Sequence, residues 1–129
     1  MNFRLELFVK DFKKSIRFYE DIIGLTFSKK NETSAMIKQD HFSLLLTHDN
    51  ILDEKHYFKK GGLHPKGKGV EVIIVSDDIE KLYNRVLEKD YPIESNLELQ
   101  SWGMKDFRIV DPDGYYLRLT SHKLDEPKQ

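Results

Sequence analysis

The chain has 129 residues, no cysteine and a formal net charge of −1. That length suits one domain, 1–129. The missing thiols exclude disulfides, thiolate metal sites and cysteine nucleophiles, and the balanced charge offers no overall drive toward nucleic acid or an anionic membrane. Aromatic residues at 12% argue against disorder. No apolar run approaches the roughly 18 residues of a bilayer span, and the charged N-terminus lacks the apolar stretch of a signal peptide. The expectation is a soluble, cytoplasmic protein that binds neither nucleic acid nor membrane.

Taken in chain order, the first segment alternates. Leu5, Leu7 and Val9 share one face; Arg4, Glu6 and Phe8 share the other. This is a period-2 strand with one core face and one mixed face. Asp11 can cap a helix in which Phe12, Ile16, Tyr19 and Ile23 draw one apolar stripe, and Gly24 supplies a left-handed stop. Lys13, Lys14 and Arg17 lie off the stripe and read as a solvated face, since Glu20 and Asp21 follow directly. Strands are predicted at Leu25–Ser28, Ser34–Lys38 and Phe42–Thr47, with turns at Asn31-Glu32 and Asp40-His41. Residues 49–69 are polar and glycine-containing; they read as a connection with a turn of helix near Ile51–Tyr57.

The pattern then returns. Val70–Val75 is a β-branched strand. Asp78 can cap a helix carrying Ile79, Leu82, Tyr83, Val86 and Leu87, stopped at Tyr91-Pro92. A weaker strand is expected at Ile93–Ser95. Met104–Val110 and Tyr115–Ser121 are strands joined by Asp111-Pro112-Asp113-Gly114, a sequence suited to a type I turn. The polar tail after Ser121 is expected to fray.

Two β-α-β-β-β units are therefore predicted: module one over about 1–48 and module two over about 70–122. Asp11 and Asp78 are offset by 67 residues, and Leu45 and Arg118 by 73. The six added residues lie around Ser101-Trp102-Gly103. A sheet with a helix on one face leaves its other face open. Two such sheets would form a concave surface suited to a small ligand.

FVKDFKKSIRFYEDIIGLTF and WGMKDFRIVDPDGYYLRLTS resemble the opening strand–helix and the closing hairpin of the vicinal oxygen chelate superfamily. This is the group of glyoxalase I, bleomycin resistance proteins and extradiol dioxygenases. The resemblance implies an α+β fold: two tandem βαβββ modules forming an incomplete β-barrel around a cavity, with the helices outside. It also implies a homodimer. Metal-dependent members hold one divalent ion through His or Glu at four strand positions. Those positions correspond here to Arg4, Leu45, either Val70 or Glu71, and Arg118. Arginine stays protonated and leucine has no donor, so neither a metal nor another cofactor is expected. The histidines at 41, 48, 56, 64 and 122 lack the close spacing of a ligand pair and read as surface residues.

The candidate ligand-binding set is Arg4, Glu6, Phe8, Glu71, Trp102, Phe107 and Arg118. A partly desolvated guanidinium favours a carboxylate, phosphate or sulfonate, and aromatic walls give a flat ligand contact area at low entropic cost. Two bland readings stand beside this one. Arg4, Glu6 and Arg118 could neutralise one another inside the sheet, and Trp102 could simply pin its loop. The facing of Phe107 and of Tyr116 is left open. No phosphate loop or nucleophile triad is present. The expected function is metal-independent binding or sequestration of a small anionic or zwitterionic aromatic compound; the missing metal ligands lean against catalysis without deciding it. The alternatives are a metal-dependent lyase, isomerase or dioxygenase with displaced ligands, and a protein-docking module.

Overall fold

In the computed structural model, which describes residues 1–61 and 66–123, alternation along the first strand sorts into two faces. β1 (Phe3–Val9) buries Leu7 and Val9 and leaves Arg4 and Glu6 exposed. It pairs in parallel with β4 (Phe42–His48). β4 runs antiparallel to β3 (Ser34–Gln39), which pairs with the short β2 (Lys29–Lys30), giving the order β1-β4-β3-β2. Ala35, Ile37, Leu44 and Leu46 complete the buried side of this sheet. The strand expected at Leu25–Ser28 starts later, at Lys29. Asn31 fixes that end: its side chain accepts hydrogen bonds from the backbone N–H groups of Thr33 and Ser34, both at 2.9 Å, tightening the β2–β3 turn.

A parallel pair needs a crossover, and the helix after β1 provides it. Asp11 caps α1 (Phe12–Arg17) by accepting from Lys14 N–H at 3.1 Å. The expected regular helix does not continue to Ile23. Phe18–Ile23 is π-helical and ends at Gly24, whose φ of 89° is left-handed. The wider turn takes one more residue, so the adjacent Phe18 and Tyr19 are both buried, with ring centroids 4.8 Å apart. Where a turn of helix was expected near Ile51–Tyr57, a 3-10 turn covers Asp49–Ile51 and a short helix follows as α2 (Tyr57–Gly61).

The second unit repeats this plan. β5 (Glu71–Ser76) pairs in parallel with β8 (Tyr116–Ser121); β8 is antiparallel to β7 (Lys105–Val110), and β7 to β6 (Ser95–Leu99), giving the order β5-β8-β7-β6. The crossover is α3 (Ile79–Glu88), capped by Asp78, which accepts from Lys81 N–H at 3.1 Å. Ile79 and Val86 are buried, while Leu87 is exposed. The helix stops at Glu88 rather than at Tyr91-Pro92, because Asp90 already turns left-handed at φ 54°. The strand expected at Ile93–Ser95 is displaced to Ser95–Leu99. The Asp111–Gly114 turn forms as expected: Gly114 N–H donates to the Asp111 carbonyl at 3.1 Å, and the buried Asp111 carboxylate accepts from the N–H groups of Asp113 and Tyr115.

The chain divides into two compact units, Met1–Pro65 and Lys66–Gln129. Each is an open four-stranded mixed sheet with its crossover helix on one face. No helix of the described residues is long and apolar enough to cross a membrane. His64 and the tail beyond Lys123 lie outside the described residues.

Candidate functional site

Strand register decides which side chains share the open face of the second sheet. Glu71 is opposite Tyr116 and Ile73 is opposite Arg118 across β5–β8. Arg108 is opposite Arg118, and Asp106 opposite Thr120, across β7–β8. Residues paired in this way project to the same side. Val72, Phe107, Ile109, Leu117 and Leu119 fill the other side and are buried.

The open face thus carries Glu71, Arg108, Arg118, Asp106 and Tyr116 together. Arg108 Nε donates to Glu71 Oε2 at 3.2 Å, and its Nη1 lies 3.5 Å from Asp106 Oδ1. Arg118 Nη1 is 3.6 Å from Glu71 Oε1. Gln100 Nε2 donates to Asp106 Oδ1 at 2.9 Å. Tyr116 donates its hydroxyl to Glu94 Oε2 at 2.6 Å. The guanidinium carbon of Arg118 is 5.9 Å from the Trp102 ring centroid, within cation–π range.

Among the described residues, two buried side-chain atoms of this face have no hydrogen-bond partner: Asp106 Oδ2 and Arg118 Nε. Asp106 is fully buried. Burial opposes the charge of Arg108, but the hydrogen bond to Glu71 and the charges of Asp106 and Glu71 more than offset it, so its pKa is raised. Burial, followed by the hydrogen bond to Glu94 and its negative charge, pushes the Tyr116 phenol up to about 12.

Next to Glu71 and Tyr116 is an open cavity of about 560 Å³, walled by the Lys66–Val70 loop and Gly114. The loop is docked on the Asp111–Gly114 turn. Lys66 and Asp113 form an ion pair at 3.1 Å with both side chains 4% exposed. Gly67, at φ +79°, approaches so closely that a Cβ would stand 2.5 Å from the Gly114 carbonyl oxygen.

The structure separates the sequence-derived candidates. Glu71, Trp102 and Arg118 come together on the open face. Glu71, not Val70, shares that face, because Val70 precedes β5. Phe107 does not join them. It is fully buried on the helix side, its ring 5.0 Å from that of Tyr83 on α3; it alternates with Asp106 and Arg108, which take the open face. Tyr116, whose facing was open, lies on that face. In the first unit Arg4, Glu6 and Phe8 share one side of β1, with Arg4 exposed. Glu6 accepts a hydrogen bond from the Thr47 hydroxyl at 2.6 Å. Phe8 packs edge-on to Phe58, at 5.5 Å, and to His56, at 5.9 Å.

Sequence reading missed Asp106, Arg108, Gln100 and Glu94. The signal for two of them was present: Lys105–Val110 alternates Asp106 and Arg108 with Phe107 and Ile109, the same reading that marked Arg4 and Glu6 on β1.

The resemblance places metal at Arg4 and Leu45 in the first unit and at Val70 or Glu71 and Arg118 in the second, and of Val70 and Glu71 only Glu71 has a donor side chain. Guanidinium and alkyl groups do not ligate, and Glu71 is engaged by Arg108 and Arg118. Among the described residues no three His, Asp or Glu side chains converge as metal donors. These residues do not fit a divalent ion.

Two successive β-α-β-β-β units, each a mixed sheet with one open face, define a paired-module α+β protein. The chain belongs to the Glyoxalase/Bleomycin resistance protein/Dioxygenase superfamily, whose family model matches residues 3–119. Among solved structures it is similar to a glyoxalase/bleomycin resistance protein/dioxygenase from Nocardioides, with 20% identity and a TM-score of 0.74 over 100% of this chain and 88% of that one. It is also similar to a lactoylglutathione lyase from Agrobacterium tumefaciens, with 19% identity and a TM-score of 0.72 over 99% and 98%. A glyoxalase-related enzyme from Fulvimarina pelagi matches with 15% identity and a TM-score of 0.72 over 95% and 88%. At these identities the likeness establishes the fold. No protein of curated function matches the chain.

Proposed function

We propose that this protein binds a small anionic or zwitterionic aromatic compound without a metal. The observation that carries this reading is Arg118: a guanidinium beside the Trp102 ring, with a buried Nε that lacks a partner. Such a group favours a carboxylate over water, and the half-exposed indole offers a flat ligand a surface to stack on. Glu71 holds Arg118 in place from β5 and sets the local charge. Arg4 is the counterpart of Glu71 in the first unit, and Glu6 and Phe8 are on its face; these three belong to the same proposal.

Isothermal titration against aromatic carboxylates, among them 1-naphthoate and indole-3-acetate, tests the reading. The expected result is saturable binding that falls at least about tenfold in Arg118→Ala and weakens in Arg4→Ala. Binding unchanged in both variants, or absent for every carboxylate, overturns it. Sedimentation at the same concentrations tests the proposed homodimer.

A further inference from the structure

The two unpartnered atoms on the open face are complementary. Arg118 Nε is a donor without an acceptor, and Asp106 Oδ2 is an acceptor without a donor. They do not satisfy each other. Arg118 is opposite Arg108, so Asp106, two residues along β7, is its diagonal neighbour on the same face. From this we infer that the second unit recognises a zwitterion: a ligand whose carboxylate meets the Arg118 guanidinium and whose ammonium group meets Asp106 Oδ2, with its aromatic part against Trp102. This rests on the carboxylate-binding reading of Arg118 and narrows it to aromatic α-amino acids and compounds with the same pair of groups.

Hydrogen-bond satisfaction supports the same choice. A carboxylate alone leaves Asp106 Oδ2 without a donor, whereas a zwitterion satisfies both orphaned atoms.

One loop contacts both groups. Gln100 and Trp102 belong to the β6–β7 connection, which closes with Gly103 N–H donating to the Gln100 carbonyl at 3.0 Å. Gln100 is tied to Asp106 and Trp102 lies against Arg118. In this proposal the loop moves aside when the zwitterion binds, and Trp102, the single tryptophan of the chain, moves with it.

The test uses the full chain and three probes of one shape: L-phenylalanine, 3-phenylpropionate and 2-phenylethylamine. Affinity is read by calorimetry and loop movement by Trp102 emission. The expected ranking puts L-phenylalanine at least about tenfold tighter than either single-charge probe, with a change in Trp102 emission on binding. Asp106→Asn, checked for folding by thermal melting, should abolish the preference, so that L-phenylalanine and 3-phenylpropionate bind this variant with equal affinity. Equal affinity of L-phenylalanine and 3-phenylpropionate for the wild-type protein overturns the zwitterion inference and leaves the carboxylate reading standing. A zwitterion preference that survives Asp106→Asn overturns the role of Asp106. Failure of every carboxylate, zwitterionic or not, removes both. The wild-type ranking needs no variant, so a poorly folded Asp106→Asn does not rescue the inference.

Discussion

Trp102 and Arg118 meet across two different segments: the indole on the β6–β7 loop, and the guanidinium on β8 with its carbon 5.9 Å from the ring centroid. Neither segment is close to the other in sequence. The β8–β7–β6 pairing brings them together, and the same pairing stacks Arg108 beside Arg118.

This contact makes Trp102 a reporter as well as a wall. Trp102→Ala should cost little stability, since the side chain is 43% exposed, and the lost cation–π contact is worth about 0.5–1 kcal/mol. Affinity for aromatic carboxylates should fall by several-fold more than affinity for acetate. Relative to the wild-type protein, Arg118→Ala should shift Trp102 emission before any ligand is added. Emission identical in the two proteins would show that the contact is absent in solution.

Asp106 should be needed for the fold. It is fully buried and accepts from Gln100 and Arg108. Asp106→Ala leaves those donors without their acceptor, and should destabilise the protein by about 1–3 kcal/mol. Urea unfolding measures this. Glu71→Gln removes a half-exposed partner and should cost under about 1 kcal/mol.

Phe107 provides the contrast between core and site. Its ring is fully buried against α3, so Phe107→Ala should cost about 3–5 kcal/mol. Phe107→Leu should fold and bind aromatic carboxylates with unchanged affinity. A loss of affinity in folded Phe107→Leu would return this residue to the binding face.

Gly67→Ala tests the docking of the Lys66–Val70 loop. The new methyl group would meet the Gly114 carbonyl at 2.5 Å, on a residue already at φ +79°. A loss of about 1–3 kcal/mol is expected, whereas Gly69→Ala meets no atom within 4 Å and carries only the backbone strain of its φ of 82°. Paired thermal melts compare the two.

Two phenols set the alkaline limit. Burial and then the charge of Asp111 raise the Tyr91 pKa to about 12, and Tyr116 is raised to about 12 by burial and Glu94. A phenol whose folded pKa lies above its unfolded value of 10 stabilises the fold fully below pH 10. That contribution is lost as pH rises through 12. Stability should therefore fall across pH 10–12. Absorbance titration should find a late component that shrinks in Tyr91→Phe and in Tyr116→Phe.

How much of this was legible in the sequence follows from range. The helix caps were readable because capping is local: Asp11 and Asp78 each accept from an N–H three residues on. The Asp111–Gly114 turn was readable for the same reason. The π-helical turn at Phe18–Ile23 was not, since a stripe spaced four, three and four is also that of an ordinary helix. The mixed face of β1 was visible because its alternation is clean. The same alternation in Lys105–Val110 passed unused, and Phe107 was grouped with Arg118 on residue type rather than on facing.

Sequence alone determined the two β-α-β-β-β units, which rest on local propensity, periodicity and spacing. Its resemblance to the superfamily, carried by the opening strand–helix and the closing hairpin, implied the family and set Arg4, Leu45 and Arg118 at the positions of metal donors. Only tertiary structure decided that Glu71 rather than Val70 shares the face of Arg118, that Asp106 and Arg108 join them, and that Phe107 does not. Strand register assigns those positions, and register is fixed by burying Leu117, Leu119, Ile109 and Phe107 on the helix side. A shift of one residue would have exchanged the two faces.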